Sequence, residues 1–177
     1  GATGSAGTIA GASSRSTRLF DRDTYLAVSS AGWGKLLAGR HDTPYKMSTR
    51  RLDAFADGIA DNRSLMGTTV LGGTGGVVTE TFDARRSNQI LYQSPGIGGF
   101  SVAIGYVNLA ESNTNANDED VSSLSVAGMY EQDEVYVTFA YEAHTTTLKE
   151  ESTTVKAAKL GVGYKWGILD LGFAYEK

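Results

Sequence analysis

The stretch from Arg86 to Asn108 reads RSNQILYQSPGIGGFSVAIGYVN, and it holds two apolar runs separated by the turn-forming residues 95–99. Large apolar and small side chains alternate in the second run, with Phe100, Val102, Ile104 and Tyr106 on one set of positions and Ser101, Ala103 and Gly105 on the other. Because side chains two residues apart point to the same side of a β-strand, this spacing gives one apolar face and one face of small residues. The stretch therefore predicts an antiparallel hairpin.

The same period of two returns on both sides of this hairpin. We expect eight antiparallel strands in total, near residues 21–30, 33–40, 85–94, 99–109, 121–131, 134–144, 155–166 and 168–177. Their connections alternate between tight turns and the longer polar segments 110–120 and 144–154. Short turns at one end and long loops at the other are typical of outer-membrane barrels. The sequence thus predicts an all-β fold, an antiparallel up-and-down transmembrane β-barrel.

The two faces of these strands are expected to meet different surroundings. The apolar set should contact lipid, and it comprises Ile90, Tyr92, Val102, Ile104, Val126, Val137, Phe139, Leu160, Val162, Leu171 and Phe173. The other set should point into the lumen, and it includes Gln89, Ser101, Ser125, Thr138, Lys159 and Asp170. A soluble antiparallel sheet with its apolar face inward has the same period. The small Ser, Gly and Ala side chains of the second face favour a barrel lumen over that alternative.

Composition narrows the class of protein. Among its 177 residues the chain has 22 glycines, no cysteine and a formal net charge of −4. The lack of cysteine excludes a disulfide framework and thiolate metal sites, and the charge does not favour nucleic acid as a partner. No apolar run reaches the roughly 18 residues that predict a transmembrane helix, but a barrel strand needs only about ten residues, half of them apolar.

The alternation stops over residues 41–84, a segment rich in Gly, Thr, Asp and Arg. A connection of this length inside a compact domain is uncommon and is usually functional. Apolar residues at helical spacing predict a short helix over 49–62, and they are Leu52, Phe55, Ala56 and Ile59, with Thr49 as the N-cap. We interpret the segment as a long loop that folds into the barrel lumen and narrows it.

Parts of this sequence resemble the general porins of Gram-negative outer membranes, in the branch found in Neisseria-like and Burkholderia-like bacteria. The matching stretches are RDTYLAVSSAGWGKLLAGRHDTPYK at 22–46, FDARRSNQILYQSPGIGGFSVAIGYVN at 82–108 and the hairpins that follow. The resemblance covers about residues 22–177. Its most specific part is the strand GKLLAGR leading into the long segment, followed by RSNQILYQSPGIGGFSV.

The resemblance implies a barrel of about sixteen strands that assembles as a homotrimer in a Gram-negative outer membrane, in contact with lipid and lipopolysaccharide. It also implies passive diffusion of small hydrophilic solutes and ions, with no cofactor. We therefore expect residues 1–177 to be one partial barrel domain, an internal piece of a longer porin, with 41–84 as its constriction loop. The alternative, a complete eight-stranded barrel, must fit that loop into a lumen that side chains already fill.

Members of this family place arginines on the barrel wall opposite acids on the inward loop, and opposed charges of this kind select permeating ions. By position, the resemblance assigns the wall role to Arg22 and Arg85, and Arg40, at the mouth of the loop, is a further candidate. Asp53 and Asp57, four residues apart on the predicted helix, take the role of the loop acids. The alternative is that these charges form ion pairs within the loop or lie at a solvated surface.

Enzyme chemistry has little support in this sequence. Only His41 and His144 are available as imidazole bases, and no segment marks a nucleophile, so we expect no catalytic residues and no metal site. Two other function classes stay open: a barrel that acts as a structural anchor or adhesin through its external loops, and a soluble β-sandwich binding module. Stepwise conductance across a lipid bilayer separates a channel from both.

Overall fold

The computed structural model describes residues 23–55, 58, 61–62, 66, 68–73, 76–108, 119–148 and 151–177. These residues form one helix, α1 (Pro44–Arg50), and ten strands. The strands are β1 (Thr24–Ser30), β2 (Gly34–Asp42), β3 (Thr68–Gly73), β4 (Gly76–Thr81), β5 (Arg85–Gln93), β6 (Phe100–Asn108), β7 (Glu119–Gln132), β8 (Val135–Leu148), β9 (Glu151–Trp166) and β10 (Leu169–Glu176).

Eight of the strands form a single antiparallel sheet in the order β1-β2-β5-β6-β7-β8-β9-β10. Each strand pairs with its neighbour in the chain, apart from the step from β2 to β5 that spans the insertion. This confirms the predicted eight-stranded up-and-down architecture. Across the described residues β1 and β10 are the two edges, so the sheet is not closed on itself.

The two faces of the sheet differ as the alternation predicts. On one, called here the apolar face, Ile104, Phe139 and Phe173 are 44%, 57% and 63% exposed. On the other, called here the covered face, Ser125, Thr138 and Lys159 are each 1% exposed. The remaining predicted lipid-facing residues are exposed or half-buried, namely Ile90, Tyr92, Val102, Val126, Val137, Leu160, Val162 and Leu171.

The covered face is buried although the sheet has only one layer. Residues of the insertion, among them Tyr45 and Thr49, lie on this face and exclude solvent from its centre. Gln89 is buried there and Ser101 is half-buried, as expected of inward residues. Asp170 is exposed, because it lies towards the tight turn between β9 and β10 and lines an open cleft.

Strands β7, β8 and β9 are 14, 14 and 16 residues long. The polar loop expected at 144–154 is therefore wrong, since β8 and β9 continue through this region and leave only 149–150 outside the described residues. The side-chain oxygens of Thr145 and Thr154 lie 3.1 Å apart across this extension. Threonine is β-branched and favours an extended backbone, so a polar Thr-rich run forms paired strand as readily as loop.

Fourteen residues of strand extend roughly 46 Å at about 3.3 Å per residue. That length exceeds the apolar band of about 25 Å that a membrane barrel presents to lipid, even when strand tilt is allowed for. The ends of β7, β8 and β9 opposite their tight turns therefore project beyond such a band as a polar extension.

The helix in the insertion begins earlier than expected. The predicted helix over 49–62 is wrong: α1 ends at Arg50, and Thr49 lies inside it. Thr43 is the N-cap, its Oγ1 accepting from the Lys46 amide at 3.4 Å, and Pro44 occupies the first turn, where its missing N–H costs nothing. Residues 51–55 form turns, and residues 56, 57, 59 and 60 lie outside the described part of the chain.

The second half of the insertion also has regular structure. Strands β3 and β4 pair antiparallel with each other, from Thr68 opposite Thr81 to Gly73 opposite Gly76. The Thr and Val residues of both segments favour a strand, and the intervening glycines favour a turn. The insertion is thus not a structureless connection. No helix in the described ranges is long and apolar enough to cross a membrane.

Candidate functional site

Helix α1 lies on the covered face of the sheet. The amide of Tyr45 donates to Ser125 Oγ at 2.9 Å, and the hydroxyl of Tyr136 donates to the Ser48 carbonyl oxygen at 2.6 Å. Ser125 belongs to β7 and Tyr136 to β8, so the helix bridges neighbouring strands. The outgoing limb of the insertion, residues 43–52, is thereby fixed to the wall rather than directed away from it.

Glycines on the covered face make room for this limb. A Cβ on Gly105 would lie 2.9 Å from Cδ of Pro44, and one on Gly172 would lie 2.8 Å from the backbone oxygen of Leu52. Real Cβ atoms essentially never approach a neighbour below 3.0 Å. The alternation of glycine with large apolar residues therefore serves a packing purpose, because only glycine allows the insertion to approach the strand backbone this closely.

The return limb of the insertion, residues 82–84, lies on the same face. The Phe82 ring stacks on the His144 ring with centroids 4.4 Å apart, and His144 Nε2 is 2.7 Å from Glu142 Oε1. Asp83 Oδ1 accepts from Lys159 Nζ at 2.7 Å. Burial raises the pKa of the Asp83 carboxyl, and the Lys159 ammonium opposes part of that rise.

A cluster of charges holds the base of the insertion. Arg85 Nε lies 2.6 Å from Asp23 Oδ1 and 3.1 Å from Asp42 Oδ1. Lys46 Nζ lies 2.9 Å from the same Asp42 oxygen. Two carboxylates and two cations therefore balance where the chain leaves β2 and enters β5. Sequence reasoning missed both aspartates, although Asp23 lies near the start of the first predicted strand and Asp42 lies just beyond the second.

The predicted site residues are only partly brought together. Asp53 is not a partner of Arg85; its Oδ1 accepts from the Phe55 amide at 2.9 Å and its Oδ2 from the Asn62 amide at 3.0 Å, so it organises turns. Arg40 donates from Nη1 to Ser87 Oγ at 2.9 Å. Arg22 and Asp57 lie outside the described residues.

A β-bulge interrupts the pairing of β2 with β5 close to Arg85. The register of β2 with β5 shifts between Gly39 and His41, and Asn88 has φ of 54°. An extra residue in one strand interrupts the inward–outward alternation. The side on which Arg85 points therefore cannot be counted from Gln89 along the sequence alone.

A cleft of about 540 Å³ lies at the tight-turn end of the sheet. It is bounded by residues 51–54 of the insertion and by the ends of β7 to β10. Arg51 forms an ion pair with Glu131 there, and its guanidinium carbon lies 4.4 Å from the centre of the Tyr136 ring. Residues 43–54 of the insertion therefore run along the covered face from the long-loop end of the sheet towards the tight-turn end.

Comparisons with known proteins agree with this architecture. A family model described as Gram-negative porin matches residues 2–177. The chain is similar to an outer membrane porin protein of Bordetella pertussis, with 24% identity over 185 residues that cover 94% of this chain and 44% of that protein. The chain spans less than half the length of this relative.

A solved structure shares the fold. An anion-selective porin from Comamonas acidovorans superposes with a TM-score of 0.69 at 20% sequence identity, covering 89% of this chain and 46% of that one. The resemblance stated from sequence motifs is thereby confirmed, and so is the location in the outer membrane. With a matched family model over nearly its whole length and an antiparallel sheet of the porin type, this chain belongs to the Gram-negative porin family.

Proposed function

We propose that this chain forms part of a channel for the passive diffusion of small hydrophilic solutes and ions across the outer membrane. The observation that carries the proposal is the pairing of an exposed apolar face with an opposite face on which a charged insertion lies. Lipid suits the apolar face. A water-filled lumen suits the other, because the ionised groups at its margins need water or counter-charges.

The insertion 41–84 serves as the constriction loop in this proposal. Its outgoing limb carries Arg51, which is exposed, and Asp53, which is half-buried, so a solute passing the insertion meets these charges. Lys46 and Asp83 are buried and hold the two limbs in place. Arg22, Arg40 and Arg85 supply wall cations, and Asp53 and Asp57 supply loop acids. Asp23 and Asp42 join the set, because both carboxylates contact Arg85.

The assembly expected of such a channel is a homotrimer embedded in lipid and lipopolysaccharide. Porin function requires neither a cofactor nor turnover chemistry. An anchor or adhesin would use only the external extension of the strands and has no need for charges arranged along a lumen face. We therefore favour the channel.

Planar bilayer recording of the reconstituted full-length protein tests the proposal. We expect discrete conductance steps that occur in groups of three. Absence of steps from protein that is folded in detergent and in vesicles would overturn the channel assignment.

Two substitutions at the balanced charge cluster make the test specific to the insertion. Arg85→Ser leaves two aspartates facing only Lys46, so the reversal potential in a salt gradient should shift towards cation selectivity. Asp42→Asn leaves Arg85 and Lys46 facing only Asp23, so the shift should have the opposite sign. Unchanged reversal potentials in both variants would remove the base of the insertion from the selectivity element.

A further inference from the structure

Lys159 is a lysine buried on the covered face of β9, with 1% of its surface exposed. Its Nζ lies 2.7 Å from Asp83 Oδ1, 3.2 Å from Thr49 Oγ1 and 3.7 Å from Glu176 Oε2. The same nitrogen is 4.2 Å from the centre of the Tyr45 ring. One ammonium group therefore has four partners, and we call these five residues the Lys159 cluster.

The partners come from separate parts of the chain. Tyr45 and Thr49 belong to α1 on the outgoing limb, Asp83 belongs to the return limb, and Glu176 belongs to β10. Lys159 is thus a point on the wall at which both limbs of the insertion converge. Arg85 and Lys46 also link the two limbs, because both contact Asp42, but these contacts lie at the base of the insertion.

The energetics make these contacts dependent on one another. A buried ammonium is costly unless opposite charge and hydrogen-bond acceptors surround it. Removing either partner of a buried pair leaves the other charge uncompensated, and that penalty falls when the insertion moves away and admits water. Replacing both partners with apolar side chains of similar size avoids the penalty.

We propose that Lys159 is a positioning residue that fixes the insertion against the barrel wall and thereby sets the width of the pore. The inference rests on the proposed channel function for its consequence, but the docking of the insertion is measurable without any conductance. Loss of the cluster allows α1 and residues 82–83 to leave the wall, and the aperture then fluctuates.

A single reporter cysteine measures the docking directly. The chain has no cysteine of its own, and Ser48 is buried between α1 and the wall, so Ser48→Cys creates one protected thiol. In this background we expect Lys159→Met and Asp83→Leu each to speed labelling by a small thiol reagent at least about tenfold. Lys159→Met removes the cation that contacts Asp83, and Asp83→Leu leaves the buried Lys159 with only the more distant carboxylate of Glu176. The double variant should return labelling close to the background rate.

Two further variants keep the result interpretable. Lys165 lies on the same face of β9 as Lys159, but it is exposed and forms no side-chain ion pair within the described part of the chain. Lys165→Met therefore removes the same charge without breaking a pair, and labelling should stay at the background rate. Thr49→Val removes only one acceptor from Lys159 and should give an intermediate rate even if the stronger variants fail to assemble. Labelling of Lys159→Met no faster than that of Lys165→Met would overturn the proposal.

Bilayer recordings of the same variants connect docking to the pore. We expect Lys159→Met and Asp83→Leu to show severalfold greater open-state current noise than the Ser48→Cys protein. The double variant should show noise close to that of the Ser48→Cys protein. Quiet channels in both single variants would overturn the claim that the cluster sets the aperture. If the background protein gives no conductance steps while the labelling pattern holds, the channel function fails and the positioning role of Lys159 stands.

Discussion

Single small residues decide how closely the insertion approaches the wall. Gly105 faces the rigid ring of Pro44 and the side chain of Gln89, and a Cβ added there would lie within 3.0 Å of both. Gly128 lies on the neighbouring strand β7, and a Cβ added there would meet nothing within 4 Å. Gly128 is paired with Val102 and lies on the apolar face, whereas Gly105 lies on the covered face, and of the two only Gly105 is needed for packing.

The contrast gives a prediction for Gly105→Ala. The added methyl group must displace Pro44 or Gln89, and overpacking of this kind typically costs about 1–3 kcal/mol. We expect the Ser48→Cys reporter to be labelled faster in Gly105→Ala. The matched control is Gly128→Ala, which should label at the background rate; equal rates in the two variants would show that the glycine is not needed for close approach.

At the level of elements, α1 depends on its surroundings. It has seven residues, fewer than an isolated helix needs to be stable in water. Its stability comes from the Thr43 cap, from Pro44 and from its contacts with β7 and β8. The Thr43 amide also donates to the Ala84 carbonyl oxygen at 3.2 Å, so the residue that starts the helix ties the two limbs together at their base.

Removing the cap should loosen the first turn of α1. Thr43→Ala deletes the oxygen that accepts from Lys46 and should cost about 1 kcal/mol, as for other N-caps. The Met47 amide donates to the Thr43 carbonyl oxygen, so its hydrogen exchange reports on this turn. We expect roughly fivefold faster exchange in Thr43→Ala, in line with about 1 kcal/mol, and little change in Thr43→Ser. Unaltered exchange in both variants would assign the stability of α1 to wall packing alone.

For the whole molecule, the apolar face of the sheet must meet lipid. Leu171 lies on this face and is 52% exposed, whereas Asp170 beside it lies on the other face and lines the cleft at the tight-turn end. These adjacent residues of β10 therefore point to opposite sides of the sheet, Leu171 towards lipid and Asp170 towards the cleft.

A charge introduced at each position separates the two environments. Leu171→Arg should lower the free energy of unfolding from lipid vesicles by about 2–4 kcal/mol if the site is near the bilayer midplane. Asp170→Arg should change it by less than about 0.5 kcal/mol, as for surface substitutions in water. Guanidinium titrations of both variants measure these values, and comparable losses would contradict the assignment of faces.

The amino-acid sequence by itself determined the eight strands of the sheet, their order and which side of each faces outward. The physical reason is that alternation is a local property: a side chain and the one two residues away share a face whatever the rest of the chain does. The placement of Ile104, Phe139, Ser125 and Lys159 followed from it. Thr-rich segments were harder to assign, because threonine is common both in loops and in paired strands.

Only the tertiary structure decided how the insertion is arranged. Its helix begins at Pro44 instead of Thr49, because the Thr43 cap and the wall contacts of Tyr45 and Ser48 outweigh the helical spacing further on. Arg85 pairs with Asp23 and Asp42 instead of Asp53, because strand pairing places Asp42 directly opposite Arg85. Lys159 acquires partners from residues 76 and 110 positions away in sequence. Contacts at such separations depend on how the chain returns to the wall, and no local pattern encodes that path.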